Sequence, residues 1–218
     1  RIMQAGNSIG GAISQDGRLV AVANYVPGGV KVFSADTLEL VADIPSEYAE
    51  GKRAKVVGLE DATGGRLVFS LFEAGEIWMA DLADPRKPVV TRFKDIGREP
   101  YDALVTPDGR WYIAGLFGED GLALLDLWHP ERGVKRILDG YGRGEEKLPV
   151  YKMPHLEGWA IAGRHAYLPA IGRHEVLVVD TDSQATTTSM FGYVPDAEID
   201  EDATILPYLS GYQTTLGY

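Results

Sequence analysis

Four turn-forming segments recur along the chain in the same phase: SQDGR at 14–18, ATGGR at 62–66, TPDGR at 106–110 and IAGRH at 161–165. Their aligned glycines, Gly17, Gly65, Gly109 and Gly163, are separated by 48, 44 and 54 residues. A second pattern keeps step with the first, apolar runs that close on a small or acidic residue at 30–34, 76–81, 122–126 and 176–180. Asp-Gly and Gly-Gly supply the positive φ that a tight hairpin needs, and the flanks are rich in β-branched and aromatic residues. Pro27, Pro45, Pro85, Pro88, Pro107, Pro130 and Pro149 fall between the apolar runs, where they end strands without removing a ladder hydrogen bond. A repeated unit of this length holding several short strands predicts an all-β fold of the β-propeller type, with almost no helix. The competing reading is a β-sandwich with chance similarity between turns, but sandwiches carry no such internal period. Small residues at Ala21, Ala23, Ala114 and Gly115 are expected on crowded inner strands near a propeller axis.

Only about four units are present, at the low end of the roughly four to eight blades that close a ring. The expectation is a partial β-propeller over 1–183. Residues 1–10 read as the last strand of a preceding blade, and Arg1 as an internal position. From Gln184 onward the repeat stops. Residues 184–218 hold five acidic side chains, Asp196, Glu198, Asp200, Glu201 and Asp202, with no Lys or Arg, and are read as a divergent acidic tail without an assigned function.

Charge and composition remove several function classes. The 218 residues carry 21 Lys and Arg against 32 Asp and Glu, a net charge of -11, so the cationic footprint of a nucleic-acid binder is missing. No apolar run reaches the roughly 18 residues of a membrane-spanning helix. The absence of Cys excludes disulfides, thiolate metal sites and c-type haem attachment within this stretch, and leaves cytoplasm and periplasm both open. The glycines at 140, 142 and 144 run into Glu145 and Glu146, which would repel a phosphate. His129, His155, His165 and His174 lack zinc-site spacing, and no Gly-x-Ser-x-Gly elbow is present.

The stretch AVANYVPGGVKVF at 21–33, followed by DTLEL at 36–40, strongly resembles the haem d1 propeller superfamily. The stretches DGRWYIAGLFGEDGLALLDLWHPERG at 108–133 and KMPHLEGWAIAG at 152–163 resemble more closely its biosynthetic branch, the NirF-type haem d1 biosynthesis proteins. The resemblance covers about residues 1–183. It implies an eight-bladed periplasmic propeller, of which this chain holds about half. It implies a protein that binds haem d1, or its dihydro precursor, as substrate or product, and dehydrogenates a propionate side chain to the acrylate. Two alternatives stay open. One is a haem d1-binding propeller that delivers the tetrapyrrole without transforming it, and the other is the d1 domain of a cytochrome cd1 nitrite reductase. Implied partners are the tetrapyrrole and, beyond it, other haem d1 maturation proteins or the nitrite reductase. Half a ring exposes two blade edges, so this stretch alone is expected to be unstable or inactive.

Alignment with the reductase puts Asp61 where its first distal histidine stands and Tyr101 near its second, beside Asp102. Asp61 is therefore the candidate general base, since a desolvated carboxylate over a tetrapyrrole has its pKa raised toward working pH. An Asp four residues ahead of Gly65 also suits a turn. Tyr101 would donate a hydrogen bond to a ring carbonyl or propionate, or pack in the core. Arg53, Lys55 and Lys152 are the candidate partners of tetrapyrrole carboxylates, with an ordinary solvated face as the alternative. Asn24 and Tyr25 are candidate funnel-lining residues or turn residues. His155 lies in the linker 140–158, which accounts for the longest repeat spacing, and is the candidate haem contact and iron ligand. His129, His165 and His174 sit at strand exits or turns and are read as solvent-facing.

Overall fold

The computed structural model describes residues 6–139, 160–163, 165–170 and 175–180. The chain divides into two compact units, 1–141 and 142–218. The first holds three four-stranded antiparallel sheets. Sheet one is β1 (Asn7–Ile13), β2 (Leu19–Val26), β3 (Gly29–Ser34) and β4 (Leu40–Ile44). A short hairpin of β5 (Glu47–Ala49) and β6 (Lys52–Arg53) follows. Sheet two is β7 (Val56–Ala62), β8 (Arg66–Leu71), β9 (Glu76–Asp81) and β10 (Val89–Phe93). Sheet three is β11 (Pro100–Val105), β12 (Trp111–Leu116), β13 (Leu122–Asp126) and β14 (Val134–Ile137), with a single 3-10 turn at Pro130–Arg132. In the second unit β15 (Ala160–Ala162), β16 (His165–Ala170) and β17 (Glu175–Asp180) form a three-stranded sheet. Four meandering sheets of this kind are propeller blades, about four in number.

The repeat maps onto this meander. Each turn segment joins the first and second strands of a blade, and each apolar run is its third strand. The four aligned glycines share one conformation, with φ of 73°, 71°, 71° and 59° at Gly17, Gly65, Gly109 and Gly163. In the first turn Ser14 Oγ lies 2.7 Å from Asp16 Oδ1, which accepts from the Arg18 N–H, and the Leu19 N–H donates to Ser14 Oγ. Thr106, Asp108, Arg110 and Trp111 repeat that arrangement in blade three.

Blade packing supplies the core. Val30, Val32 and Ile44 of blade one bury against Val56, Phe69, Leu71 and Trp78 of blade two. The first strands β1, β7 and β11 are neighbours, so they line the inner edge of the arc. Two expectations are corrected here. Residues 7–13 are the innermost strand of the first blade, paired with β2, and not the last strand of a preceding one. Their run of small residues, Gly10, Gly11 and Ala12, hides a strand from pattern reading. Ala21, Ala23, Ala114 and Gly115 lie on second strands, where their small size serves the contact between adjacent blade faces.

Candidate functional site

Because a blade is a meander, the first strands β1, β7 and β11 of the first unit run in the same direction, from one rim of its arc to the other. The hairpin turns that join first and second strands occupy one rim, where Thr63 packs on Gly109. At the opposite rim lie the β2–β3, β8–β9 and β12–β13 turns, together with the β5–β6 hairpin. The hairpin is anchored there by the Ser46 hydroxyl, which donates to the Ala54 carbonyl at 2.6 Å.

This second rim gathers an aromatic wall. Phe72, Tyr101 and Phe117, one from each of two turns and one from β11, stand with ring centroids 5.8 to 6.0 Å apart, and all three are partly exposed. Tyr25, at the end of β2, reaches across to Tyr101, their hydroxyl oxygens 2.5 Å apart. Burial, and then the hydrogen bond to Tyr101, hold the Tyr25 phenol well above its ordinary pKa, so it stays protonated. Lys55 places its ammonium 5.0 Å from the Phe72 ring centre while pairing with Glu73. Burial would raise the Glu73 carboxyl, but the hydrogen bonds from Lys55 overcome this and lower its pKa. Such a half-exposed pair contributes only about 0 to 1 kcal/mol, so Lys55 can exchange Glu73 for another carboxylate at little cost. Arg98 sits beside Phe117 through the Gly118 N–H to Arg98 carbonyl bond and pairs loosely with Glu119. Arg53 is exposed on β6, where it lies opposite Glu47 in the ladder, and its side chain makes no hydrogen bond or ion pair among the described residues.

Sequence reasoning thus named Tyr25, Tyr101, Lys55 and Arg53, which the structure brings to one rim. It missed Phe72, Phe117 and Arg98, which lie in turns between strands and carry no periodic pattern. Asn24 is not a lining residue. It is fully buried, donating to the Val22 and Gly29 carbonyls and accepting from the Ser8 hydroxyl, and so ties β1, β2 and β3 together. Lys152 and His155 lie outside the described residues, as does the tail 184–218. His129 caps the 3-10 turn and faces Glu131, and His165 starts β16 beside Tyr167. No group of three or more potential metal ligands occurs among the described residues.

Asp61 is at the other rim. It sits near the end of β7, opposite Leu67, where it accepts from the Gln15 N–H. Five residue steps along the strand separate it from Val56, where β7 begins on the side of the aromatic wall, a rise of roughly 16 Å. The structure therefore does not bring Asp61 to Tyr101. Asp61 instead lines a cleft of about 600 Å³ with Ser14, Asp16, Arg18, Leu82 and Pro85. Burial, offset in part by the Gln15 N–H, and the charge of Asp16 raise its pKa. Asp16 is held ionised, its pKa near 2 through Ser14 and Arg18, and with Asp61 it sets two carboxyls against the one cation, Arg18, in the lining, which disfavours a polycarboxylate. The aromatic rim, with its cations, suits a flat, carboxylate-bearing ring; the cleft does not.

Comparison with known proteins bears on the same point. The profile of the Cytochrome D1 heme domain family matches residues 1–191. Protein NirF of Stutzerimonas stutzeri is 64% identical over 192 residues, covering 87% of this chain and 49% of that protein. Protein NirF of Pseudomonas aeruginosa is 67% identical over 182 residues, covering 83% of this chain and 46% of that protein. The chain thus spans about half the length of the curated relatives it matches. Among solved structures, the dihydro-heme d1 dehydrogenase NirN in complex with DHE is similar with a TM-score of 0.61 and 26% identity, over 80% of this chain and 36% of that one.

Proposed function

The chain belongs to the Cytochrome D1 heme domain family, and from that premise we propose that it is the tetrapyrrole-holding half of a haem d1 biosynthesis propeller. The carrying observation is the rim where Phe72, Tyr101 and Phe117 meet Tyr25 and Lys55. A haem d1-type ring presents two flat faces and several carboxylates. The aromatic wall takes a face, Lys55, Arg53 and Arg98 take carboxylates, and the Tyr25–Tyr101 pair offers hydroxyls to a ring carbonyl.

The finer reading is dehydrogenation of a propionate on the dihydro precursor to the acrylate, as substrate and product of the whole protein. Likeness to a solved dihydro-heme d1 dehydrogenase supports it. The periplasm is the compartment this reading places the protein in. Delivery of the ring without chemistry is the second reading, favoured by the distance of Asp61 from the rim. Anaerobic addition of dihydro-haem d1 with an electron-accepting dye separates them. Conversion of the spectrum to the acrylate form supports dehydrogenation, binding without conversion supports delivery, and absence of binding overturns both.

A further inference from the structure

Two turns that carry rings of the aromatic wall, 72–75 between β8 and β9 and 117–121 between β12 and β13, belong to adjacent blades. The connector 94–99, which leads from β10 to β11, is bonded to both. The Ile96 N–H donates to the Gly75 carbonyl at 3.1 Å, the Phe117 N–H to the Glu99 carbonyl at 2.8 Å and the Gly118 N–H to the Arg98 carbonyl at 3.2 Å. Glycines allow the close crossing: a Cβ on Gly75 would lie 2.6 Å from the Gly97 carbonyl oxygen, and one on Gly97 would lie 2.6 Å from Leu116 Cδ1. Asp95 and Glu99 take φ of 57° and 51°, a region that residues with side chains keep only where their surroundings hold them.

Glu119 supplies the side-chain part of that hold. Its Oε1 accepts the Arg98 N–H at 2.8 Å and a guanidinium N–H of Arg136 at 2.7 Å. Arg136, on the outer strand β14, also donates to the Asp120 carbonyl at 3.1 Å and to Asp139 Oδ1 at 2.7 Å, so its guanidinium is fixed from several sides. Glu119 Oε2 stands 3.5 Å from Arg98 Nε, a loose pair on a guanidinium that is 73% exposed. Burial would raise the Glu119 carboxyl, but the Arg98 N–H and Arg136 outweigh this and lower its pKa, so it stays ionised at neutral pH. Phe117, two residues earlier in the same turn, has its ring centre 6.0 Å from that of Phe72 and 5.9 Å from that of Tyr101. One carboxylate therefore ties the turn that carries this ring to the connector on one side and to β14 on the other. A ring that stacks on a flat ligand has to keep its height and tilt within a fraction of an ångström, and sites of that kind are held by supporting bonds behind them.

We propose that Glu119 is a positioning residue of the tetrapyrrole rim, the carboxylate that sets the height and tilt at which the Phe117 ring meets the face of the bound macrocycle. This rests on the tetrapyrrole reading above. Glu119 touches no ligand in this role. It acts through Arg98, whose N–H it holds and whose carbonyl in turn holds the Gly118 N–H beside Phe117. The reach of the acceptor then matters more than its charge. An amide oxygen at the same distance accepts both N–H groups, whereas a carboxylate one methylene shorter reaches them only by drawing the turn toward the connector.

The test uses the full chain with its six phenylalanines carrying a 4-fluoro label, and a metal-free tetrapropionate porphyrin as the binding probe. The porphyrin ring current moves the 19F resonance of a benzene ring stacked on its face, and Phe72→Leu and Phe117→Leu identify the two signals in the free chain. Both signals are expected to move upfield when the parent binds the porphyrin. Glu119→Gln is expected to keep the Phe117 shift and to bind within about threefold of the parent, while Glu119→Asp keeps the Phe72 shift, loses about half or more of the Phe117 shift and binds about tenfold more weakly. A Phe117 shift that is unchanged in Glu119→Asp overturns the assignment and leaves the tetrapyrrole reading standing. Loss of that shift in Glu119→Gln but not in Glu119→Asp also overturns it, since charge and not reach would then be decisive. A parent chain that binds no porphyrin, or binds it without moving either signal, overturns the tetrapyrrole reading, and the assignment with it.

Discussion

The hydroxyls of Tyr25 and Tyr101 lie 2.5 Å apart, joining the second strand of the first blade to the innermost strand of the third. The contact passes over the blade between them, so it pins the rim as well as shaping it. Removing either hydroxyl leaves its partner partly buried without this bond. Tyr25→Phe and Tyr101→Phe should each lower unfolding free energy by about 1 kcal/mol, and the double variant should cost less than the two together. Urea denaturation of the four proteins checks the coupling; strict additivity would mean the bond contributes nothing.

Gly58 and Gly17 both have positive φ, but only Gly58 has neighbours in the way. Gly58→Ala must strain the backbone and displace Ala103 or Tyr112, a loss of about 2 to 4 kcal/mol. Gly17→Ala meets nothing within 4 Å and should cost about 1 kcal/mol. Thermal unfolding ranks the two directly.

Glu60 has a folded pKa raised to about 7 from 4.5, by burial first and by the charge of Asp61 second. Between these values the folded chain binds the extra proton, so its contribution to stability is fully present below pH 4.5 and is lost as pH rises through 7. Glu60→Gln should therefore be more stable than the parent at pH 8, by about 2 to 3 kcal/mol, with the gap closing toward pH 4.5. Denaturation midpoints across that range measure it.

Glu76 is only 6% exposed and depends on Arg92, whose guanidinium bonds both carboxylate oxygens at 2.8 and 2.9 Å while stacking on Trp78. Arg92→Ala leaves that carboxylate buried with the Trp78 indole N–H as its remaining side-chain donor among the described residues. A loss of about 3 kcal/mol is expected. Replacing Glu76 by Gln in the same chain should recover part of it, which a double-mutant cycle reads.

The blades were legible because their repeat is written in residues with local jobs: a glycine that must take positive φ, an Asp that closes its own turn, an apolar third strand. The first strands were not. Asn7–Ile13 carries glycines where a pattern would be, and its pairing is set by β2 rather than by its own side chains. Tyr25, Tyr101 and Lys55 were visible as candidates, yet nothing in their spacing says that residues 76 apart touch. Phe72 and Phe117 stayed hidden for the same reason, since the meeting of turn aromatics is a tertiary fact. Asp61 was placed in the site through its alignment with the reductase's first distal histidine, as Tyr101 was with the second. The register shift across Gly58 and its place along β7 put it at the opposite rim instead.

The central claim is that the rim of Phe72, Tyr101 and Phe117, with Lys55, holds a tetrapyrrole. The direct measurement is a spectroscopic titration of this chain with a metal-free tetrapropionate porphyrin, run beside Lys55→Ala, Phe72→Ala and, as a control in the other rim's cleft, Asp61→Asn. The account predicts saturable binding that weakens about tenfold in each of the first two variants, or about 1.4 kcal/mol, and is unchanged in the third. Binding that survives loss of Lys55 and Phe72 but fails in Asp61→Asn would contradict it and move the site to the cleft.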